Sequence, residues 1–213
     1  EPSLRRDTVD NPIDPRSGSI ESLNLEVAGV GPGTAFLKAL AHYRFFYTFI
    51  KSPTFGQWVF SPGVTYGIGT TLSKGLGGEL PLYERFFPGG VGGQGDVRGY
   101  QLYSLGPDVL LLNQNGDPLS IENIGGSKEL LLDGEVTFPI LSGLGIRGVI
   151  FADAGQAYRL SDNVTVSSLQ AAYGVGIRWR SPFGPLAIDI ARPINPRPQD
   201  MSNVFEIGGG APL

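Results

Sequence analysis

The chain has 213 residues, of which 41% are hydrophobic and 17% are charged, and its formal net charge is −4. This acidic balance argues against nucleic acid as a partner. The chain has no cysteine and a single histidine, His42, which excludes a disulfide framework and a zinc site built from these residues, so no metal or cofactor is expected. No apolar run approaches the about 20 residues of a membrane-spanning helix, so a membrane crossing would have to use strands.

Apolar and polar residues alternate with period two in segments of about ten residues, which are separated by clusters of Gly, Pro, Asn and Asp. This pattern predicts one all-β domain of about eight antiparallel strands. In chain order the predicted strands are Ser19–Ala28, Phe36–Phe49, Gln57–Gly69, Lys128–Phe138, Gly145–Tyr158, Leu169–Ser181, Pro185–Pro193 and Asn203–Gly208. A long loop, residues 70–127, separates the third predicted strand from the fourth.

Four of the predicted strands separate apolar from charged residues. On the fourth, Leu132 lies on the face opposite Glu135, and on the fifth, Ile150 lies on the face opposite Asp153. A soluble sandwich and a membrane barrel both show such alternation, because they differ in which face meets the protein interior. An antiparallel transmembrane β-barrel is favoured by three features: charges of both signs on the polar faces, short turns alternating with one long loop, and aromatic residues near strand ends. These aromatic residues are Tyr43, Phe45, Tyr47, Phe49, Trp58, Tyr158, Trp179 and Phe183.

The long loop contains the segment FFPGGVGGQGDVRGY between Phe86 and Tyr100, in which many glycines accompany a single arginine, Arg98. A buried guanidinium requires carboxylates around it, so a lone arginine in a barrel lumen predicts an acidic wall. Glycines permit tight turns against such a wall, and the candidates are Gly89, Gly90, Gly92 and Gly93. A phosphate-binding loop is excluded, because no lysine follows the glycines and no helix is predicted to begin there.

Four segments have a recognisable order and spacing: YERFFPGGVGGQGDVRGY, ELLLDGEVTFPI, VIFADAGQAY and YGVGIRWRSPFGPLAIDIARPI. They resemble the C-terminal half of the barrel in the BamA-type superfamily of outer-membrane assembly and translocation proteins, also called the bacterial surface antigen family. The resemblance begins with DPRSGS at Asp14–Ser19, which is similar to the start of the ninth of sixteen strands. It implies that residues 1–213 form the C-terminal part of a transmembrane barrel in the outer membrane of a Gram-negative bacterium or of an organelle.

The resemblance also implies roles for individual residues. In the family, the long loop, here residues 70–127, folds into the barrel lumen, and the arginine of its VRGY motif contacts acidic residues on the next two strands. The motif residues here are Val97, Arg98, Gly99 and Tyr100, and the matching acidic residues are Glu135 and Asp153. From the residues alone, Asp153 could instead cap a turn, and Glu135 could be a solvated lumen charge.

The implied function is the insertion and folding of other outer-membrane proteins, with Arg98 holding the loop to Glu135 and Asp153. The implied partners are the lipid bilayer, client outer-membrane proteins or secreted polypeptides, and accessory lipoproteins. Members of the family also carry an N-terminal half-barrel and soluble N-terminal domains, so we expect this chain to be one part of a larger assembly. No catalytic residues are expected, and the protein is predicted not to be an enzyme. A polypeptide-translocating pore of the two-partner secretion type and a purely structural barrel are the alternatives.

Overall fold

The computed structural model describes residues 1–29, 35–54, 56–73, 77–92, 96–182, 184–194, 196–197 and 205–209, and within them the chain forms strands joined by turns. The strands are β1 (Ser3–Asp7), β2 (Ser17–Ala28), β3 (Phe36–Ser52), β4 (Gly56–Thr71), β5 (Asp108–Leu112), β6 (Pro118–Asn123), β7 (Lys128–Leu141), β8 (Ile146–Tyr158), β9 (Gln170–Ser181), β10 (Gly184–Ile194) and β11 (Phe205–Gly209). Single 3₁₀ turns lie at Leu82–Glu84, Ser142–Leu144 and Val166–Ser168. None of the helical turns in these ranges is long and apolar enough to cross a membrane.

In the part of the chain that the structure describes, nine strands form one antiparallel sheet in the order β1-β2-β3-β4-β7-β8-β9-β10-β11, and β5 and β6 form a separate hairpin. The sheet is not closed within the described ranges, because β1 and β11 each pair with a single neighbour there. The predicted all-β, antiparallel class is confirmed, and each predicted strand overlaps one strand of the sheet. Residues 203 and 204 of the last predicted strand lie outside the described residues.

The sequence pattern misses three strands. β1 reads SLRRD, and its adjacent arginines interrupt any apolar alternation, although the strand pairs with β2 over all five residues. β5 and β6 lie inside the predicted loop and are joined by NQNGD, whose Asn-Gly pair is a recognised hairpin signal. The prediction of about eight strands was therefore too low, and the segment predicted as a long loop is partly strand.

The sheet has one apolar and one polar face. Large apolar side chains on the apolar face are exposed to the surroundings, for example Ile150, Val175, Ile177 and Ile188. On the polar face, Glu129, Glu135 and Asp153 are buried, and residues of the segment between β4 and β7 lie against this face. Among the aromatic residues assigned to strand ends, Tyr158 is buried, and its hydroxyl donates to the carbonyl of Thr165 at 3.1 Å. Phe183 lies outside the described residues.

The covering segment is seated by apolar contacts and by small residues beneath it. Leu80 and Phe86 are buried over β4, where a Cβ added to Gly69 would contact Leu80 and one added to Gly67 would contact Phe86. Glycine at these positions leaves the space that the two side chains occupy. The fold therefore brings the glycine-rich segment and its arginine against the charged face of the sheet.

Candidate functional site: a loop arginine and its carboxylate partners

The VRGY motif follows a tight bend in the covering segment. Two backbone hydrogen bonds between Gly90 and Val97, of 3.0 and 3.1 Å, close the bend. Inside it, the amide of Gly92 donates to the Asp96 carboxylate at 3.0 Å. Four of the glycines that the sequence or the motif points to have positive φ, which glycine adopts at little cost: Gly89, Gly90, Gly92 and Gly99. Gly93, also a candidate from the sequence, lies outside the described residues.

Arg98 is 7% exposed and directs its guanidinium at two neighbouring strands. Its Nε and Nη2 donate to the two carboxylate oxygens of Asp153 on β8, at 2.6 and 2.7 Å, and its Nη1 donates to Glu135 on β7. The amide of Arg98 also donates to Asp153, at 3.1 Å. One carboxylate therefore fixes both the side chain and the main chain of the loop, through the two-pronged geometry that gives arginine–carboxylate pairs their strength.

The register of the sheet explains how these groups meet. Asp153 and Phe151 are two residues apart on β8 and share the polar face, and Phe151 lies directly opposite Glu135 on β7. The guanidinium carbon of Arg98 lies 3.5 Å from the centre of the Phe151 ring, a stacking contact that is favourable between a cation and an aromatic face. The arginine is thus held by carboxylates at its edge and by an aromatic ring at its face.

A second arginine extends this arrangement. Arg178 on β9 donates to Asp189 on β10 at 2.6 Å and to Glu135 at 3.2 Å, so Glu135 is shared between the two guanidinium groups. We call the five residues Arg98, Glu135, Asp153, Arg178 and Asp189 the Arg98 cluster. Burial alone lowers the pKa of Arg98, but Asp153 and Glu135 outweigh this effect and raise the pKa above its ordinary value. The Arg98 guanidinium therefore remains charged where it contacts the sheet.

Gly99 connects the motif to β11, the last described strand. Its amide donates to the Glu206 carboxylate of β11 at 3.3 Å. A Cβ added to Gly99 would lie 3.2 Å from the Cβ atoms of Ala172 on β9 and Ala191 on β10. The backbone of the motif therefore lies close to small residues of the sheet, and a side chain at Gly99 would push the loop away from the sheet.

Val97 precedes Arg98 in the motif and Tyr100 ends the motif, and both pack against the sheet. Both are fully buried, in a cluster that also contains Leu131 of β7. The Tyr100 hydroxyl donates to the carbonyl of Ala171 on β9 at 3.1 Å. Together with Arg98 and Gly99, these residues contact every strand from β7 to β11.

The structure brings together the three charged residues that the sequence singled out. Asp153 lies inside β8 rather than at a turn, and Glu135 is 4% exposed rather than solvated. Phe151 and Glu206 also belong to the site, although the sequence pattern does not point to them. Phe151 gives no signal because it is an apolar residue on a polar face, and the Glu206 contact depends on how the strands are arranged in space. Among the described residues, no group of His, Cys, Asp or Glu could hold a metal ion.

A second charged cluster lies at the end of the sheet where short turns connect the strands. Asp14, which precedes β2 and is 5% exposed, accepts hydrogen bonds from Arg147 on β8 and from Arg16, the latter at 2.9 Å. Its carboxylate lies 3.8 Å from Arg180 on β9. We call Asp14, Arg16, Arg147 and Arg180 the Asp14 cluster. It connects the segment before β2 to strands four and five places away in the sheet order.

Comparison with known proteins places this arrangement in a family. Residues 1–212 match the Omp85 superfamily domain. The chain is 28% identical over 230 residues to the outer membrane protein assembly factor BamA of Neisseria meningitidis serogroup B, covering 94% of this chain and 27% of that protein. It is 28% identical over 193 residues to BamA of Nitratidesulfovibrio vulgaris, covering 89% of this chain and 22% of that protein.

The fold agrees with a solved member of the same group. The crystal structure of BamA from Haemophilus ducreyi lacking POTRA domains 1–3 superposes with a TM-score of 0.79 at 20% identity, covering 96% of this chain and 40% of that one. The chain thus spans about a quarter of the length of the curated relatives it matches. The resemblance recognised in the sequence is confirmed. The chain belongs to the Omp85 superfamily, and its location is an outer membrane.

Proposed function

We propose that this chain supplies the C-terminal strands of a transmembrane β-barrel that assembles other outer-membrane proteins. The exposed apolar face would meet lipid, and the polar face would line a lumen that contains the loop of residues 70–127. A closed barrel of about eight strands is filled by its own side chains and leaves no room for such a loop. We therefore infer that further strands, from the N-terminal part of a longer protein, complete the cylinder between β1 and β11.

The proposed activity is non-catalytic and uses a strand edge. An unpaired edge presents backbone donors and acceptors that can pair with an incoming strand, so a weak seam at β11 would template the strands of client outer-membrane proteins. The curated relatives are named as outer membrane protein assembly factors, which supports this role. Accessory lipoproteins and soluble N-terminal domains would belong to the complete assembly.

Arg98 is the residue on which the mechanism depends. The observation that carries the proposal is that one short motif contacts Asp153 and Glu135 through Arg98, and reaches β11 through the Gly99 amide. The Arg98 cluster would fix the loop to β7 and β8, and the loop would in turn fix the position of the seam strand. Loss of the arginine would leave the buried carboxylate of Asp153 without its guanidinium partner, which typically costs about 3–5 kcal/mol.

The test is the substitution Arg98→Ala in the full-length protein. We expect expression and membrane insertion to persist, while the temperature at which the barrel loses its compact gel mobility falls and client assembly decreases. Arg85→Ala is the matched control: Arg85 lies in the same loop, and its contacts with described residues are hydrogen bonds to the carbonyls of Leu80 and Ile124, so its loss should leave client assembly unchanged.

Unchanged heat-modifiability and client assembly in Arg98→Ala would reject the role proposed for Arg98. The alternative of a polypeptide-translocating pore makes a different prediction. In that case, removal of the loop would raise ion conductance across a planar bilayer, and a secreted polypeptide rather than integral barrels would accumulate inside the cell. Measuring both readouts on the same variants distinguishes assembly from translocation.

A further inference from the structure

The Asp14 cluster borders a cavity at the short-turn end of the sheet. The cavity has a volume of about 340 Å³ and is lined by all four members of the cluster. Its other lining residues are neutral, and they include the polar side chains of Ser52, Gln57 and Ser142. Arg16 donates to Gln57 at 2.8 Å, which holds its guanidinium at the cavity wall. The cavity is large enough for a carboxylate side chain and offers it several donors.

The charges of the cluster do not balance. Three arginines surround one carboxylate, so the formal charge is +2 in a chain whose total is −4. The nearest acid in the sequence, Asp10, accepts hydrogen bonds from the backbone amides of Arg16 and Ser17, at 2.8 and 3.1 Å. Like charges held close together repel, and a bound anion would relieve that repulsion.

The position of the arginines indicates what kind of anion they meet. Arg147 and Arg180 lie on the polar face of β8 and β9, opposite the exposed apolar side chains of the same strands. An acyl chain would contact the apolar face, so a lipid headgroup bound at these arginines would be separated from its own tail. A guanidinium presents a fork of donors that matches a carboxylate, and aspartate and glutamate side chains on a polypeptide supply that group on the aqueous side.

We propose that the Asp14 cluster binds an acidic segment of a polypeptide, with a carboxylate of that segment accepting from Arg16 and Arg180. These two arginines are the accessible ones, with side chains 43% and 47% exposed, whereas Arg147 at 16% serves mainly to hold Asp14. The site takes Asp- or Glu-rich sequence and does not depend on the Arg98 contacts. It is therefore separable from the assembly role proposed above.

The experiment uses the full-length protein in detergent micelles and a fluorescein-labelled hexaglutamate peptide, with binding followed by fluorescence polarisation. Arg16→Gln and Arg180→Gln keep the buried Arg147–Asp14 pair, so folding should be retained. Each substitution is expected to raise the peptide Kd about fivefold, as for a partly exposed ion pair, and the two together about 25-fold if they act independently. Arg159→Gln, an exposed arginine just beyond the opposite end of β8, is the matched control and should not change the Kd.

Three results would overturn the proposal. The first is an unchanged Kd in the double variant, and the second is an equal loss of binding in Arg159→Gln, which would show attraction to net charge alone. The third is displacement of the peptide by equimolar inorganic phosphate or by phosphatidylglycerol vesicles, which would assign the site to a small anion or to a lipid. The client-assembly readout of Arg98→Ala is measured in parallel, so failure of one proposal is distinguished from failure of the other.

Discussion

The two charged clusters of this molecule are built on opposite plans. In the Arg98 cluster, two arginines are set among three carboxylates, and in the Asp14 cluster, one carboxylate is set among three arginines. Both join segments far apart in the chain: Arg98 and Asp153 are 55 positions apart, and Asp14 and Arg147 are 133. Ion pairs in both clusters therefore connect segments that are distant in the chain.

Burial separates the two clusters further. Arg98, Glu135 and Asp153 are each less than a tenth exposed, whereas Arg16 and Arg180 have nearly half of their side chains exposed. A buried charge that loses its partner cannot be solvated, but an exposed one can. We therefore expect the Arg98 cluster to dominate stability and the Asp14 cluster to contribute less and to respond to salt.

The largest effect is expected from Asp153→Asn, which removes one charge without changing the size of the side chain. The Arg98 guanidinium would lose its two-pronged partner while still buried, so the free energy of unfolding should fall by about 3–5 kcal/mol. Urea titration in detergent, followed by tryptophan fluorescence, measures this. Asp117→Asn, on the exposed turn of the β5–β6 hairpin, is the control and should stay within about 0.5 kcal/mol of the parent protein. Equal effects of the two substitutions would remove the distinction between buried and exposed carboxylates.

A smaller effect is expected from Asp14→Asn. Arg147 would lose its partner, but Arg16 and Arg180 reach water, so we expect a loss of about 2 kcal/mol, between the values for exposed and buried pairs. The three remaining arginines repel one another, and salt screens that repulsion. Unfolding measured at low and high ionic strength should therefore show partial recovery of Asp14→Asn in salt and none of Asp153→Asn. Recovery of both variants would mean that the Arg98 cluster is accessible to ions.

The part of the site that the sequence predicts is the part set by period-two alternation. Glu135 and Asp153 lie on the polar faces of β7 and β8 because side chains alternate along a strand, and the family resemblance joins them to Arg98. Alternation also predicts that this face is polar throughout, yet Leu131 lies on it and is buried. The reason is that protein, not water, covers this face at Leu131, so an apolar residue is stabilised there.

Contacts between strands that are distant in the sheet could not be predicted from the sequence. The Asp14–Arg147 pair and the Gly99–Glu206 hydrogen bond depend on which strands approach one another across the polar face. Periodicity specifies the face of a strand but not the partner of a loop, since many loop conformations have the same pattern. The hairpin of β5 and β6 could be predicted from its Asn-Gly turn, but that turn lies within residues 70–127, which were expected to form one long loop.

Gly99→Ala tests how closely the Arg98 cluster depends on the backbone that carries it. Gly99 and Gly92 have similar positive φ values, 90° and 80°, so alanine at either position strains the backbone by about 1–2 kcal/mol. A Cβ at Gly99 would in addition press on Ala172 and Ala191 at 3.2 Å, whereas one at Gly92 would meet no described residue within 4 Å. Gly99→Ala should therefore cost about 1–3 kcal/mol more than Gly92→Ala in the same urea titration. Equal costs would show that the loop can lift off the sheet without loss.

The smallest effect, and one of opposite sign, is expected at a carboxylate that belongs to neither cluster. Glu129 lies on the same face of β7 as Glu135 and is fully buried, but neither of its oxygens has a hydrogen-bond partner among the described residues. A buried polar group without partners carries a desolvation cost that an apolar side chain of similar size avoids. Glu129→Met should therefore leave stability unchanged or raise it by up to about 1 kcal/mol, while Glu135→Met, which strips Arg98 and Arg178 of a shared partner, should lower it by several. Equal destabilisation by both substitutions in thermal unfolding would contradict this expectation. It would mean that the Glu129 carboxylate has a stabilising partner of its own, outside the Arg98 and Asp14 clusters.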